Sequence, residues 1–576
     1  MPLFSQISQL NMYKFTEKFF LLILLLAGWI AIYPQEKHSE PIERTLHVLR
    51  GINLPDPEDI GGRIAAHVRY LADDLFGGRG TGELGGYLSA KYLGRQFSEI
   101  GLIPVGEDNS FYQTIRFHGS RMLPESNLTF SLQGREKQCR LNEDYVPVYV
   151  SSHTYLPHSS EMVFAGYGIT APEYDYDDYH AIQVQGKVVV VLDGEPYSKD
   201  KNFFDGENPT QYREPLLKLK TAIANGAAGL FIVPMDLEAA SYWKKLVEKS
   251  SFEQLRLAYG PTSRLCLFLK PDVARDIFKN ERMPLEDAVQ AHFDNRITSF
   301  PLQSTVTLRG VFSERDFLSQ NVIGMLPGTD PQLKDSYILV TAHYDHLGIG
   351  PAVNGDSIYN GLMDNALGVS LVVELARVMS ESQFRPKRSV LFLLLTGEEA
   401  GMFGSQHYIE NPLFPLYKSI AAINVDGVSA FDEVDAFTLL GDEYSELLEY
   451  SKAAARHLGL ERAPLEGEFS AQQSFLRSDQ AMFAIGGIPS AILLESFSYR
   501  NHTRDEGRKA YLDYMENRYH SPADDLTQPV NYLASAQHLK ILYTIVNLIA
   551  DSDKEIEWDS GVPYKNARLT SKAEKR

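Results

Sequence analysis

The segment from Tyr337 to Asp426 constrains the fold of this chain most strongly. Three short apolar runs, rich in Val, Ile and Leu, lead into His343, into the pair Glu398–Glu399, and into Asp426. Asp364 lies between the first two runs, in a Gly- and Asn-rich loop just before a helical pattern. Apolar runs without alternation are typical of strands that are buried on both faces. The segment therefore predicts an α/β fold with these side chains at strand ends.

Such strand ends predict a metal site. In open α/β sheets the ligand binds in the crevice at the carboxyl ends of the strands. Here that crevice would collect one histidine and four carboxylates, and crowded carboxylates resist ionisation unless a cation holds them. Histidine, aspartate and glutamate are ligands that suit zinc.

The same residues suggest a division of roles. A carboxylate shared between two zinc ions keeps them close, and Asp364 fits that role because a turn, not a strand, follows it. The doublet Glu398–Glu399 stands at a strand end, so its two side chains point in different directions. One glutamate can then bind metal while the other moves a proton.

Length and charge limit the other possibilities. A chain of 576 residues predicts roughly three or four domains. Its formal charge of −20 argues against nucleic acid, for which a basic surface is expected. Cys139 and Cys266 are too few for a disulfide framework, and the sequence leaves open whether they pair.

The N-terminal segment 1–40 is typical of an address. Lys14 and Lys18 precede an uncharged apolar run over Phe19–Tyr33. The run is shorter than the roughly 20 residues of a comfortable membrane span. We expect a signal peptide or an uncleaved anchor, with a core helix as the alternative, and hence a protein that is secreted, periplasmic or membrane-anchored facing outside the cytoplasm.

The rest of the chain divides by pattern. We expect residues 57–145 to begin the catalytic domain, with a helix that buries Ala90, Leu93, Phe97 and Ile100 and stops at Gly101. Residues 150–300 indicate a separate β-rich module with one or two helices that covers or binds. Residues 301–555 would complete the catalytic domain, and the basic tail 556–576 is expected to be flexible.

The order of the motifs carries a resemblance. His343-Tyr-Asp, Met-Asp364-Asn, Glu398–Glu399, Asp426 and Tyr519–His520 resemble the di-zinc aminopeptidase family of aminopeptidase Y and glutamate carboxypeptidase II. The Gly-rich stretch 77–82 resembles the same family, and residues 150–300 resemble its protease-associated insert. The resemblance implies a zinc-dependent exopeptidase fold: a mixed central sheet flanked by helices, with the β-rich domain inserted.

The resemblance also implies roles and two zinc ions per chain. His343 and Asp426 would complete one zinc site, and Glu399 and His520 the other, with Asp364 shared between them. In the same family pattern Glu398 is the general base, Asp345 orients His343, and Tyr519 polarises the scissile carbonyl. Tyr519 could instead simply pack. We interpret His346 as a surface or pocket histidine rather than a third imidazole ligand.

Two positions depart from the family pattern. Leu367 stands where the family often has Ser, and Gln480 follows Ser478–Asp479 where the family often has His. Neither is a ligand, but the second concerns the substrate pocket. The sequence thus predicts a metallo-aminopeptidase acting on peptides. The alternatives are a di-zinc carboxypeptidase for acidic dipeptides and an inactive, receptor-like relative.

Overall fold

The computed structural model of the protein describes residues 36–132, 134–149, 156–207, 209–259, 265–293, 296–428, 430–465 and 474–575. The helices, numbered in chain order, are α1 (Glu36–Leu49), α2 (Pro57–Leu71), α3 (Leu84–Ile100), α4 (Pro215–Ala224), α5 (Ala240–Ser250), α6 (Pro271–Phe278), α7 (Leu285–Phe293), α8 (Leu367–Glu381), α9 (Phe403–Glu410), α10 (Leu447–Leu458), α11 (Gln480–Ile485), α12 (Arg504–Asn517), α13 (Tyr532–Ala550) and α14 (Lys565–Ala573).

The strands are β1 (Ile103–Pro104), β2 (Tyr112–Met122), β3 (Asn127–Leu132), β4 (Arg135–Cys139), β5 (Tyr145–Tyr149), β6 (Leu156–Phe164), β7 (Thr170–Ala171), β8 (Tyr176–Asp177), β9 (Val188–Leu192), β10 (Gly229–Val233), β11 (Gln254–Leu257), β12 (Leu265–Leu269), β13 (Phe300–Arg309), β14 (Phe312–Leu326), β15 (Tyr337–His343), β16 (Gly348–Val353), β17 (Asp356–Tyr359), β18 (Ser389–Leu395), β19 (Ser419–Val425), β20 (Ala436–Leu440), β21 (Glu461–Arg462) and β22 (Ser490–Glu495).

A ten-stranded mixed sheet forms the centre of the molecule, with the order β11-β2-β14-β18-β15-β19-β22-β20-β21 and β1 beside β14. The strands β18, β15, β19 and β22 are mutually parallel. Antiparallel pairs flank them on both sides, β14 with β18 and β20 with β22. The carboxyl ends of four neighbouring strands therefore meet at one edge.

Both faces of these parallel strands are buried, as the apolar runs predict. Every residue of β15, β18 and β19 is buried. On one face Val340 and Phe392 pack in the core that includes α2, α8 and α13, and on the other Leu339 and Leu393 pack with residues of α9 and α11. Helices on both faces explain the absence of alternation in these strands.

The second sheet has eight strands in the order β4-β3-β13-β6-β9-β10-β12-β5. Its strands lie within residues 127–309, whereas the sequence predicts an insert over 150–300 between catalytic parts that end at 145 and resume at 301. Four helices, α4 to α7, accompany it instead of one or two. No local pattern separates β2 from β3, because their partners β14 and β13 lie far along the chain. We call residues 127–309 the insert.

Both ends of the chain are described in part. The predicted signal peptide or anchor over residues 1–40 overlaps the start of α1, which begins at Glu36 and buries Ile42 and Leu46. In the tail 556–576, for which the sequence predicts flexibility, Trp558 is buried and donates to the Gly487 carbonyl at 3.0 Å. Arg568 on α14 donates to the Ser419 carbonyl at 2.8 Å. These contacts anchor the described part of the tail despite its basic composition.

Several smaller predictions have outcomes. Helix α3 buries Ala90, Leu93 and Phe97 and ends at Gly101, which is left-handed with φ 84°. Cys139 and Cys266 are both buried and free. The apolar run 19–33 lies outside the described residues, and among the helices that are described none is long and apolar enough to span a membrane.

Candidate metal centre

Three adjacent strands deliver three of the predicted groups to one sheet edge. His343 is the last residue of β15, Asp426 follows β19 directly, and the Glu398–Glu399 pair follows β18 after a two-residue turn. Since β18, β15 and β19 are parallel neighbours, their carboxyl ends bring these side chains together.

Asp364 reaches the same place from the turn before α8. Its backbone N–H donates to the carboxylate of Asp524 at 3.1 Å, and that of Met363 donates to the same carboxylate at 3.0 Å. The turn begins at Gly361, where φ is 59° and a Cβ atom would lie 2.2 Å from the Asp364 carbonyl oxygen. Only glycine fits there. Asp524 and Gly361 thus fix the turn that aims Asp364.

The two oxygens of Asp364 face two different pairs of residues. Oδ1 lies 3.3 Å from Nε2 of His343, and Nε2 of His343 lies 3.3 Å from Oδ1 of Asp426. Oδ2 lies 3.1 Å from Nε2 of His520, which is 3.0 Å from Oε2 of Glu399. The structure therefore brings all five predicted ligand residues together, in two groups with Asp364 between them.

The donor set fits zinc. Ligand atoms of His343, Asp364 and Glu399 all lie within 4.8 Å of one another. Nε2 of His520 is buried and makes no well-directed hydrogen bond with the part of the chain that the structure describes. A buried imidazole nitrogen left in this way, surrounded by carboxylate oxygens, suits a metal ion.

The carboxylates of the centre raise the pKa of two imidazoles. Burial lowers the pKa of His520, but the carboxylates of Glu399 and Asp364 outweigh it and raise the value to about 10. Burial also lowers the pKa of His343, but Asp426 and Glu398 outweigh it and raise the value well above the ordinary one. The carboxylates of the centre therefore favour positive charge among them.

The two glutamates differ in environment. Burial and the neighbouring Asp364 raise the pKa of Glu399, but the opposite effect of His520 and His346 is larger and lowers the value to about 2. Burial raises the pKa of Glu398 well above its usual range. Across the described residues no hydrogen bond or ion pair to the Glu398 carboxylate is found, whereas both oxygens of Glu399 face imidazoles. The environments therefore separate the two as the doublet suggests.

Asp345 supports His343 and Glu398 through different atoms. The Nδ1 atom of His343 lies 3.1 Å from the Asp345 carbonyl oxygen but 3.9 Å from its carboxylate. The carboxylate instead accepts from the Thr81 hydroxyl at 2.9 Å and from the Glu398 N–H at 3.2 Å. The backbone of Asp345 thus orients the imidazole, as such ligands usually require, and its side chain fixes the turn that carries Glu398.

His346 is a pocket residue and not a surface residue. Its Nδ1 atom lies 2.6 Å from Oε1 of Glu399, and its side chain is fully buried. It therefore supports a candidate ligand without belonging to either group around Asp364. The spacing of His343 and His346 could not decide this, because Glu399 comes from another strand.

Arg79 is a supporting residue for which the sequence suggested no role. Its side chain is fully buried and donates to the carbonyls of Tyr344 at 2.8 Å, Gly361 at 2.8 Å and Leu71 at 3.0 Å. It also donates to the Asn360 carbonyl at 2.5 Å. One guanidinium thus ties the loop after β15 to the turn before Asp364. The Gly-rich stretch 77–82 is the sequence feature that could have drawn attention to Arg79.

Tyr519 and Asp479 lie beside the centre. The ring of Tyr519 stacks on His520 with centroids 3.8 Å apart, and burial raises the pKa of its hydroxyl well above the ordinary value. Asp479 is fully buried, accepts from the Ser405 hydroxyl at 2.5 Å, and has its pKa raised to about 7, by burial above all. The departure at Gln480 also has a structural use, since its side-chain oxygen accepts from Asn424 at 2.9 Å.

Comparisons with known proteins find similarity to peptidases. Residues 321–546 match the family model described as Peptidase family M28. Aminopeptidase YwaD of Bacillus subtilis (strain 168) is 28% identical over 213 residues, which are 36% of this chain and 40% of the relative. A probable zinc metalloprotease of Pyrenophora teres f. teres (strain 0-1) is 31% identical over 118 residues, 20% of this chain and 24% of the relative.

Among solved structures, an aminopeptidase from Aneurinibacillus sp. strain AM-1 is similar over 86% of this chain and 97% of its own, with a TM-score of 0.51 and 17% identity. This similarity confirms the predicted α/β fold class over nearly the whole chain. The sequence matches are shorter, and the chain spans less than half of the length of the curated relatives it matches.

Proposed function

Residues 321–546 belong to peptidase family M28, and on that premise we propose that this protein is a zinc-dependent aminopeptidase with two zinc ions. One ion would be held by His343 and Asp426, the other by Glu399 and His520, and both by Asp364. The observation that carries the proposal is the division of the Asp364 oxygens, 3.3 Å and 3.1 Å from the imidazole nitrogens of two different histidines.

The chain supplies the proton chemistry. Bound zinc would act as a Lewis acid and would lower the pKa of a water molecule. Glu398 would take that proton, because within the described residues its carboxylate has no hydrogen-bond or ion-pair partner, whereas that of its neighbour Glu399 has two. Asp345 accepts the Glu398 N–H at 3.2 Å and so holds the base in position. Tyr519, next to His520, would donate to the carbonyl oxygen of the scissile bond.

Recognition of a free amine follows from charge. Glu398 and Asp426 both follow parallel strands at the same sheet edge, and the carboxylates of both act electrostatically on His343. A substrate ammonium would be stabilised there, whereas an acetylated amine would leave carboxylates without a partner. That loss costs about 3 kcal/mol, or roughly a hundredfold in rate.

A peptide with a free amine and the same peptide with an N-acetyl group test this proposal. We expect release of the first residue from the free peptide only, with at least roughly hundredfold slower cleavage of the acetylated one. Release of residues from the C-terminal end would instead support the carboxypeptidase for acidic dipeptides. An unreactive protein with both metal sites filled would support the receptor-like alternative.

The location is proposed from the N-terminal sequence alone. The basic residues Lys14 and Lys18 before the apolar run 19–33 favour export, with the catalytic part secreted, periplasmic or held at the membrane outside the cytoplasm. A cell fractionation with the full chain tests this, and recovery of the mature protein in the cytoplasm would contradict it.

A further inference from the structure

The insert contains a cleft of about 730 Å³ that shares no lining residue with the metal centre. Gly194 and Glu195 follow β9, Met235 and Asp236 follow β10, and Arg275 lies on α6 after β12. The strands β9, β10 and β12 are parallel neighbours. The cleft thus opens at the carboxyl ends of parallel strands, the position where α/β sheets bind ligands.

Buried polar contacts hold one wall of the cleft in place. Lys218 is buried and donates from Nζ to the carbonyls of Gly194 and Tyr167, both at 2.6 Å. The carboxylate of Glu195 accepts from the Thr210 N–H at 2.5 Å and also from the Thr210 hydroxyl. The turn after β9 is therefore tied to α4 and to the segment before it, and the cleft is preformed.

The lining combines apolar surface with acidic groups. The apolar side chains are Pro196, Tyr197, Pro209, Met235, Leu237, Val289 and Phe293, and the carboxylates are Glu195, Glu207, Asp236, Glu238 and Glu286. The side chain of Phe293 is 59% exposed and so adds accessible apolar surface to the cleft. The chemistry of the lining thus points to a ligand with an apolar body.

The charge of the cleft is negative. Five carboxylates stand against the two guanidinium groups of Arg213 and Arg275. Arg275 is already paired with Glu238 at 2.5 Å and with Glu286 and Asp272 at 2.9 Å each. Glu207 and Asp236 remain exposed at the rim, with no cation paired to either within the described ranges. A ligand that complements this rim carries positive charge.

We propose that this cleft binds a polypeptide segment that presents a large apolar side chain next to lysine or arginine residues. The volume suits a few residues of peptide, since ligand clefts typically measure about 300–1,000 Å³. The apolar side chain contacts Leu237, Val289 and Phe293, and the basic neighbours face Glu207 and Asp236. The proposal goes beyond the peptidase activity, because binding here requires no bond to break.

Equilibrium binding to the full zinc-loaded chain tests the proposal. The probe is a fluorescent peptide, blocked at both ends, that contains Lys-Phe-Lys, with Glu-Phe-Glu and Lys-Ala-Lys peptides as comparisons. We expect saturable binding of the first peptide, weaker binding of the other two, and a loss of affinity with added salt. The double variant Glu207→Lys/Asp236→Lys should bind about tenfold more weakly, and Leu237→Asn should weaken binding as well.

Glu136→Lys is the matched control. Glu136 is exposed on β4, at an edge of the same sheet. Replacing it with lysine changes the net charge by the same amount as each substitution in the cleft but leaves the cleft intact. Thermal unfolding checks that each variant folds. The proposal is overturned if no Lys-Phe-Lys binding saturates, if the Glu-Phe-Glu peptide binds as tightly, or if the cleft variants bind like the control. Because the probes are not hydrolysed, none of these results depends on the aminopeptidase assignment.

Discussion

Asp364 stands between the two groups of candidate ligands, with one oxygen facing His343 and the other facing His520. Its position depends on residues that are distant in the chain: Asp524 holds the backbone of the turn, and Arg79 ties Gly361 to the loop after β15. The sequence placed Asp364 in a loop and suggested a shared ligand. It could not indicate the contacts of Asp524 and Arg79, because these are with backbone atoms of other segments.

Substitution of the two adjacent glutamates separates their roles. Glu398→Gln should keep the metal but slow turnover by about 10²–10⁴-fold or more, because it removes the base. Glu399→Gln should reduce the bound metal, because this carboxylate belongs to the group around His520. Elemental analysis and turnover on the same preparations make the comparison, with each variant as the control of the other. Equal metal content in both variants would show that the roles are wrongly assigned.

His67 makes folding stability depend on pH outside the metal centre. It is buried on α2, with Nδ1 2.6 Å from the Tyr92 hydroxyl, and Arg63 and Arg377 stand nearby, both paired with Glu374. Burial, Arg377 and Arg63 lower its pKa from 6.5 to about 4. Between these two values His67 is protonated in the unfolded chain but neutral in the folded chain. Folding stability is therefore lost as the pH falls from 6.5 towards 4.

His67→Gln should remove this dependence. The slope amounts to about 1.4 kcal/mol per pH unit for one group, or at most about 3 kcal/mol over the interval. Denaturant unfolding at pH 7 and pH 5 measures it: the wild-type chain should lose more stability than the variant on acidification. Parallel losses in the two proteins would mean that His67 is protonated in the folded state.

At the scale of elements, the strand ends could be predicted and the strand partners could not. The runs that became β15, β18 and β19 are uniformly apolar, so burial on both faces and the position of His343 and Asp426 followed from local sequence. The second sheet begins earlier in the chain than the predicted insert. The strands β2 and β3 follow one another in sequence but belong to different sheets, because each pairs with a strand about two hundred residues away, as Phe117 does with Phe317. Sheet membership is thus a tertiary property.

The C-terminal helix α14 gives an element-scale prediction. A chain that ends at Val562 should unfold at a lower temperature, with about 2–4 kcal/mol less stability, because it loses the Arg568 donors to the Leu416 and Ser419 carbonyls and the Tyr564 ring beside Trp558. A chain that ends at Glu574 keeps these contacts and serves as the control. Identical melting temperatures of the two truncated chains would support the flexible tail that the sequence predicts.

At the scale of the molecule, the insert is joined to the surroundings of the metal centre. Its strand β11 pairs with β2 of the central sheet, and Glu253 before β11 accepts from Arg315 at 2.6 Å. Arg315 also donates to the Gly82 carbonyl at 2.9 Å, next to Thr81, whose hydroxyl binds Asp345. The sequence indicated a separate module but gave no sign of this connection, which joins segments that are far apart in the chain.

The central claim is that Asp364 holds two zinc ions, one with each group of ligands. Native mass spectrometry of the full chain, purified and reloaded with zinc, tests it most directly. The account predicts two zinc ions per chain in the active protein, and loss of both in Asp364→Ala, since that carboxylate faces His343 and His520 alike. A fully active protein with a single zinc ion, or an Asp364→Ala variant that retains two, would contradict the account.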